Sequence, residues 1–92
     1  MEQRRAAFWE KFPGLVWSNP NASDAVQIRA ALTRPHFEIL LRVAQEFGLE
    51  RLRTEWNVLI QEGTAETRRA APIVKRILTN IEKGFALAAK RN

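Results

Sequence analysis

The sequence predicts an all-α protein, a compact bundle of four to five helices, and three observations lead there. Apolar residues recur three and four apart through most of the chain, which is the spacing of one helix face. The two-residue alternation of a half-buried strand does not occur. Breaks fall at Pro13-Gly14, Ser18-Asn19-Pro20-Asn21, Arg34-Pro35, Gly48 and Gly63, where proline lacks the amide proton and glycine frees the backbone. With no repeat, low-complexity tract or long linker, residues 1–92 are expected to form a single helical domain.

The first segment, Gln3 to Phe12, reads as a short helix stopped by Pro13-Gly14. Ser23 or Asp24 can cap a second helix through Ala25, Ile28, Ala31 and Leu32 that ends near Thr33. Arg34 is pushed out of the α region by Pro35, which suits the first turn of a third helix. There Phe37, Leu40, Leu41, Ala44 and Phe47 form the stripe, closed or bent by Gly48. Leu49, Leu52, Trp56, Leu59 and Ile60 make a further stripe, with Glu38/Arg42 and Arg51/Glu55 as four-apart ion pairs on the wet face. Thr64 can cap the last helix, whose stripe is Ala70, Val74, Ile77, Leu78, Ile81, Phe85 and Ala88. Because Pro72 interrupts its start, the expectation is a separate turn or kinked section over 65–70 and a strong helix from about Pro72 to Ala89.

A chain of 92 residues hides only about 60–65% of its unfolded surface, so its core is thin. Hydrophobic residues at 46% and charged ones at 27% nevertheless exclude a disordered chain. Support from a second copy of the chain, as a homo-oligomer, or from another partner fits so small a core. With no cysteine, disulfides and thiolate metal sites are excluded. No apolar run approaches the roughly 18 residues of a membrane span, and Met1-Glu2-Gln3-Arg4-Arg5 leads into a charge-broken stretch. The expectation is a cytoplasmic protein without membrane contact. The net charge of +5 is uneven: residues 1–65 balance eight basic against eight acidic side chains, and residues 66–92 set seven basic ones against Glu66 and Glu82. Any acidic partner should prefer the C-terminal segment.

No catalytic residues, metal ligands or cofactor site are assigned. The sole histidine, His36, cannot build a multi-histidine metal site. Arg29 and His36 match the loose arginine-to-histidine spacing of the helical HEPN ribonucleases. Among eleven arginines, however, such spacing arises by chance roughly one time in three, and Ala30 and Pro35 depart from the pattern. Glu46 and Glu50 lie four apart but straddle Gly48 among arginines, as a solvated face does. Val43-Ala44 and Gly48-Leu49 suggest a helix-turn-helix, whose second helix would carry the mixed set Arg51, Arg53 and Glu55 with Trp56 turned to the core. The alternative nucleic-acid surface is the basic last helix, where Arg68, Arg69, Lys75, Arg76 and Lys83 could contact DNA phosphates. For protein contact the candidates are Phe8, Trp9, Phe12 and Trp17, half of the eight aromatic residues. Such rigid rings either cover the domain's own core or seat a partner, or do both.

From Phe8 to Ala89 the chain resembles a family of short bacterial proteins encoded beside nucleotidyltransferase toxins of the AbiEii type. The likeness is carried by Phe8-Trp9 with Phe12-Pro13-Gly14-Leu15, and by Asp24-Ala25-Val26-Gln27-Ile28-Arg29 with Ala31-Leu32. Pro35-His36-Phe37, the block Glu46-Phe47-Gly48-Leu49-Glu50-Arg51-Leu52 with Glu55-Trp56, and Ile77-Leu78-Thr79-Asn80-Ile81 with Gly84-Phe85 complete it. The resemblance implies an antitoxin-like partner rather than an enzyme; together with the residues it leads to the expectation of a protein that occludes such a toxin, the aromatic N-terminal segment serving as anchor and the basic last helix complementing an acidic surface. It carries no assigned binding residues with it.

Overall fold

The computed structural model describes residues 6–12 and 22–91, and these form helices without strands. In chain order they are α1 (Ala6–Trp9), α2 (Asp24–Thr33), α3 (Phe37–Phe47), α4 (Leu49–Glu62) and α5 (Ala65–Arg91). The expected bundle is therefore what the chain adopts. Trp17 and the rest of the aromatic stretch after Phe12 lie outside the described residues.

Local chemistry sets most boundaries. After α1 the chain tightens, with Lys11 N–H donating to the Phe8 carbonyl and Phe12 N–H to that of Trp9. Ser23 caps α2, its Oγ accepting from Val26 N–H at 3.3 Å, one of the four donors a helix start leaves unsatisfied. Pro35 precedes α3 rather than opening it, and the extended His36 takes the cap position. A single residue joins α3 to α4. Gly48 donates to the Ala44 carbonyl at 2.8 Å and accepts from Leu52 N–H at 3.3 Å, at φ 93° and ψ 147°. That conformation is essentially confined to glycine. Gly63 ends α4 in the left-handed region at φ 65°. The hydroxyl of Thr64 accepts from Thr67 N–H at 3.2 Å and so caps α5.

The core is built by α2, α3, α4 and α5, each packed against the other three. Ile28, Leu32, Leu40, Val43, Leu52, Val74 and Ile81 are its largest fully buried members. Val43, absent from the predicted stripe of α3, is buried, whereas Phe37, assigned to that stripe, is 48% exposed. Position 37 opens the helix at its outer corner, and Val43 completes the inward row with Leu40 and Ala44. On α4, Leu52, Trp56 and Leu59 are buried, but Ile60 is exposed.

The last helix corrects the expectation of a separate turn before Pro72. α5 is continuous from Ala65, with Pro72 inside it. Thr67 and Ala70, on the turns before the proline, are buried in the bundle while Pro72 itself is exposed. Packing holds the first turns helical, and the carbonyl that loses its donor can turn toward water. At its other end α5 outruns the bundle. Beyond the half-buried Phe85, residues 86–90 are exposed, including Ala88, which the sequence placed on the apolar stripe. Twenty-seven residues make a rod of about 40 Å. Among the described residues no helix is long and apolar enough to cross a membrane.

Candidate interaction surface

The N-terminal aromatics turn inward. Trp9 is 3% exposed, and its indole N–H donates to the Asp24 carboxylate at 2.7 Å, tying α1 to the start of α2. Its ring stacks on Phe47 at 5.6 Å, and Phe8 meets both edge-on, at 4.7 Å from Trp9 and 5.5 Å from Phe47. Phe12 leans on Phe8 at 5.3 Å. Phe8 and Phe12 are half-buried. Of the four rings assigned to partner contact, Trp9 therefore belongs to the core. Of the two roles left open for it, cover of the domain's own core is the one this burial displays. Phe8 and Phe12 keep one side exposed, and Trp17 lies outside the described residues.

The residues weighed for chemistry are not brought together. Arg29 donates from Nε to Glu55 at 3.0 Å, and Arg51 donates to the other oxygen of Glu55 at 3.1 Å. The Glu55 side chain is 8% exposed. The Arg51/Glu55 pair placed on the wet face is thus a corrected assignment: it is the inner half of a bridge between α2 and α4. The Nε of Arg29 is engaged in that bridge, and His36 sits exposed at the start of α3. Glu46 and Glu50 lie on different helices on either side of Gly48, both exposed. Glu38 and Arg42 do pair on the surface, at 3.9 Å. Among the described residues no cluster of three or more histidine, aspartate or glutamate side chains could hold a metal ion.

The cations divide sharply between helices. On α4, Arg51 is engaged by Glu55, and Arg53 reaches across to Glu82 of α5. A one-residue link at Gly48 replaces the turn of a helix-turn-helix, and the basic groups of the would-be recognition helix are neutralised. On α5, by contrast, Arg68, Arg69, Lys75, Arg76 and Lys83 are all exposed, and none forms an ion pair among the described residues.

Helical periodicity arranges these charges. Arg69, Arg76, Lys83 and Lys90 recur every seven residues, so they run in one row along the outside of α5 at steps of about 10.5 Å. Arg68 and Lys75 begin a parallel row that Glu82 closes. Between the rows lie Pro72, Thr79 and Ala86, short side chains that leave the charged heads standing proud. The whole face lies opposite the buried row of Ala70, Val74, Ile77 and Ile81. From Ala65 to Arg91 seven basic residues stand against two acidic ones, which equals the +5 of the entire chain.

This face is not purely polar. Ile73 and Leu87 on α5 are 47% and 60% exposed, beside the basic row, and Ile60 is 48% exposed on α4. Two recesses border the ridge. One, of about 340 Å³, lies between the α2–α3 corner and α5 and has Arg34, Glu66, Arg69 and Ile73 on its walls. The other, of about 180 Å³, lies between α4 and α5, with Trp56, Ile60 and Ala71 facing Arg68 and Lys75. Sequence reasoning named the basic residues but not their apolar neighbours, since Ile60 was assigned to the core stripe. Compared with known proteins, the chain matches no family model, no curated protein and no solved structure.

Proposed function

We propose that this chain is a binding module for a protein partner with an acidic contact surface, engaged through the outward face of α5. The observation that carries this reading is the concentration of positive charge on one exposed helix face, where Arg68, Arg69, Lys75, Arg76 and Lys83 form no ion pair among the described residues. Long-range attraction steers such a face toward an acidic surface and sets the register of docking. The exposed Ile60, Ile73 and Leu87 beside it supply apolar area that a phosphate backbone has no use for and a protein interface buries. The resemblance to small proteins encoded beside AbiEii-type nucleotidyltransferase toxins suggests the partner: such a toxin, held inactive by occlusion.

The test is co-expression with a nucleotidyltransferase of that type, followed by size-exclusion chromatography. The wild type should co-elute, and the triple variant Arg69→Glu, Arg76→Glu, Lys83→Glu should elute alone while keeping its helical circular dichroism. Co-elution of the charge-reversed variant would remove α5 from the interface.

A second reading is autoregulatory DNA binding, and the regular row of Arg69, Arg76, Lys83 and Lys90 favours it. Its signature is an affinity for duplex DNA that falls steeply with salt, by about 0.9 log units per log unit of salt for each phosphate contact. Arg76→Ala should then lower the slope by about one contact's worth. No retention on duplex DNA at low salt excludes this reading. Ribonuclease activity is the remaining alternative, and loss of RNA cleavage on His36→Ala is its discriminating assay.

A further inference from the structure

The recess between α4 and α5 has a construction of its own, and the geometry points to it as a pocket for one large apolar side chain of the partner, presented between carboxylates. This inference rests on the reading of α5 as a protein-binding face and specifies what that face reads. The floor is apolar, with Trp56 buried at its base, Ala71 beside it and the half-exposed Ile60 forming one wall. Arg68 and Lys75, one helical row on α5, form the opposite rim, and no acidic residue lines it. Gly63, at the connection between the helices, and Thr67 complete the lining.

Size and charge define the occupant. The volume of about 180 Å³ exceeds the roughly 150 Å³ that accommodates benzene in an engineered apolar cavity, so a phenylalanine or leucine side chain fits. The two rim cations make no ion pair among the described residues, and carboxylates flanking the apolar side chain would meet them. Lysine or arginine in those places would be repelled, so the rim selects acidic segments over basic ones. The occupant is therefore an acidic peptide segment with a central aromatic or large aliphatic residue, not a phosphate backbone.

The probe is a blocked acidic pentapeptide with phenylalanine at its centre, titrated into the full chain and followed by NMR, alongside a counterpart with serine at the centre. The phenylalanine peptide should shift the Trp56 indole N–H and the Ile60 methyl signals and bind about tenfold more tightly than the serine peptide. Ile60→Ser, at an exposed position that does not threaten folding, should erase that difference. If both peptides bind equally, or Ile60→Ser changes nothing, the pocket is overturned while an acidic-partner face survives. If neither peptide shifts these signals at millimolar concentration, or only duplex DNA perturbs this face, the pocket is likewise overturned. Co-elution with the nucleotidyltransferase, tested by reversing Arg76 and Lys83 away from the pocket, decides the underlying reading separately.

Discussion

The indole of Trp9 closes one end of the core and also satisfies part of a buried carboxylate, so two substitutions there separate the two contributions. Trp9→Ala removes a large buried ring and should destabilise the chain by about 3–5 kcal/mol, a large fraction of what so small a domain possesses. Trp9→Phe keeps a ring against Phe47 but withdraws the donor at 2.7 Å from Asp24, at an expected cost of about 1–3 kcal/mol. Urea unfolding of both variants checks the order. A cost below about 1 kcal/mol for Trp9→Ala, small even among core truncations, would contradict the burial of the ring. Glu55 is the other residue whose identity matters through its neighbours, since it holds Arg29 and Arg51 at once. Glu55→Ala leaves two guanidinium groups that are about a third exposed and can be hydrated, so the loss should be about 1–3 kcal/mol. Neither role could be read from spacing. The four-apart rule pairs Arg51 with Glu55 but says nothing of Arg29, which arrives from another helix.

The helices themselves were legible because capping and periodicity are local. Ser23, Gly48, Gly63 and Thr64 act where the sequence placed boundaries, and α2, α3 and α4 begin and end within a residue or two of the expected positions. Gly48 is the most demanding of these positions. A Cβ there would meet nothing within 4 Å, so the expected loss of about 1–3 kcal/mol in Gly48→Ala comes from the backbone conformation alone. Gly63→Asn, at a left-handed cap that asparagine tolerates, should cost less than Gly48→Asn in the same thermal melts. Pro72 gives the opposite case. It was read as a break because proline removes a donor and crowds the preceding turn, but burial of Thr67 and Ala70 on the turns before it outweighs that penalty. Pro72→Ala should therefore stabilise α5 by about 1–3 kcal/mol, the helix penalty of proline reduced by the freedom it removes from the unfolded chain. A loss of stability on this change would mean that the ring packs favourably where it stands.

Across the whole molecule, the charge asymmetry of the sequence becomes a surface only after folding. Arg53 and Arg51 are as basic in sequence as Arg69 and Arg76, yet the first two are neutralised by Glu82 and Glu55 and the latter are left facing water. Reversing Arg69, Arg76 and Lys83 should accordingly leave unfolding free energy within about 0.5 kcal/mol of the wild type while abolishing capture of the acidic partner. Binding by the wild type should also weaken as ionic strength rises from 0.05 to 0.5 M, because the screening length of exposed charges falls from about 14 to about 4 Å over that range. Salt-independent affinity would show that apolar contacts, not the ridge, carry the association.

From its residues alone the chain specified its class, its helical stripes, most of its stops and the helix that bears the excess charge. All of these depend on neighbours within one or two turns. Tertiary packing alone decided that Trp9 is core, that Pro72 lies within a continuous helix, that Glu55 is shared, and that Ile60 stands open beside Arg68 and Lys75. Those outcomes depend on which helix meets which, and residues far apart in sequence settle that through the area they bury together, which no local spacing records.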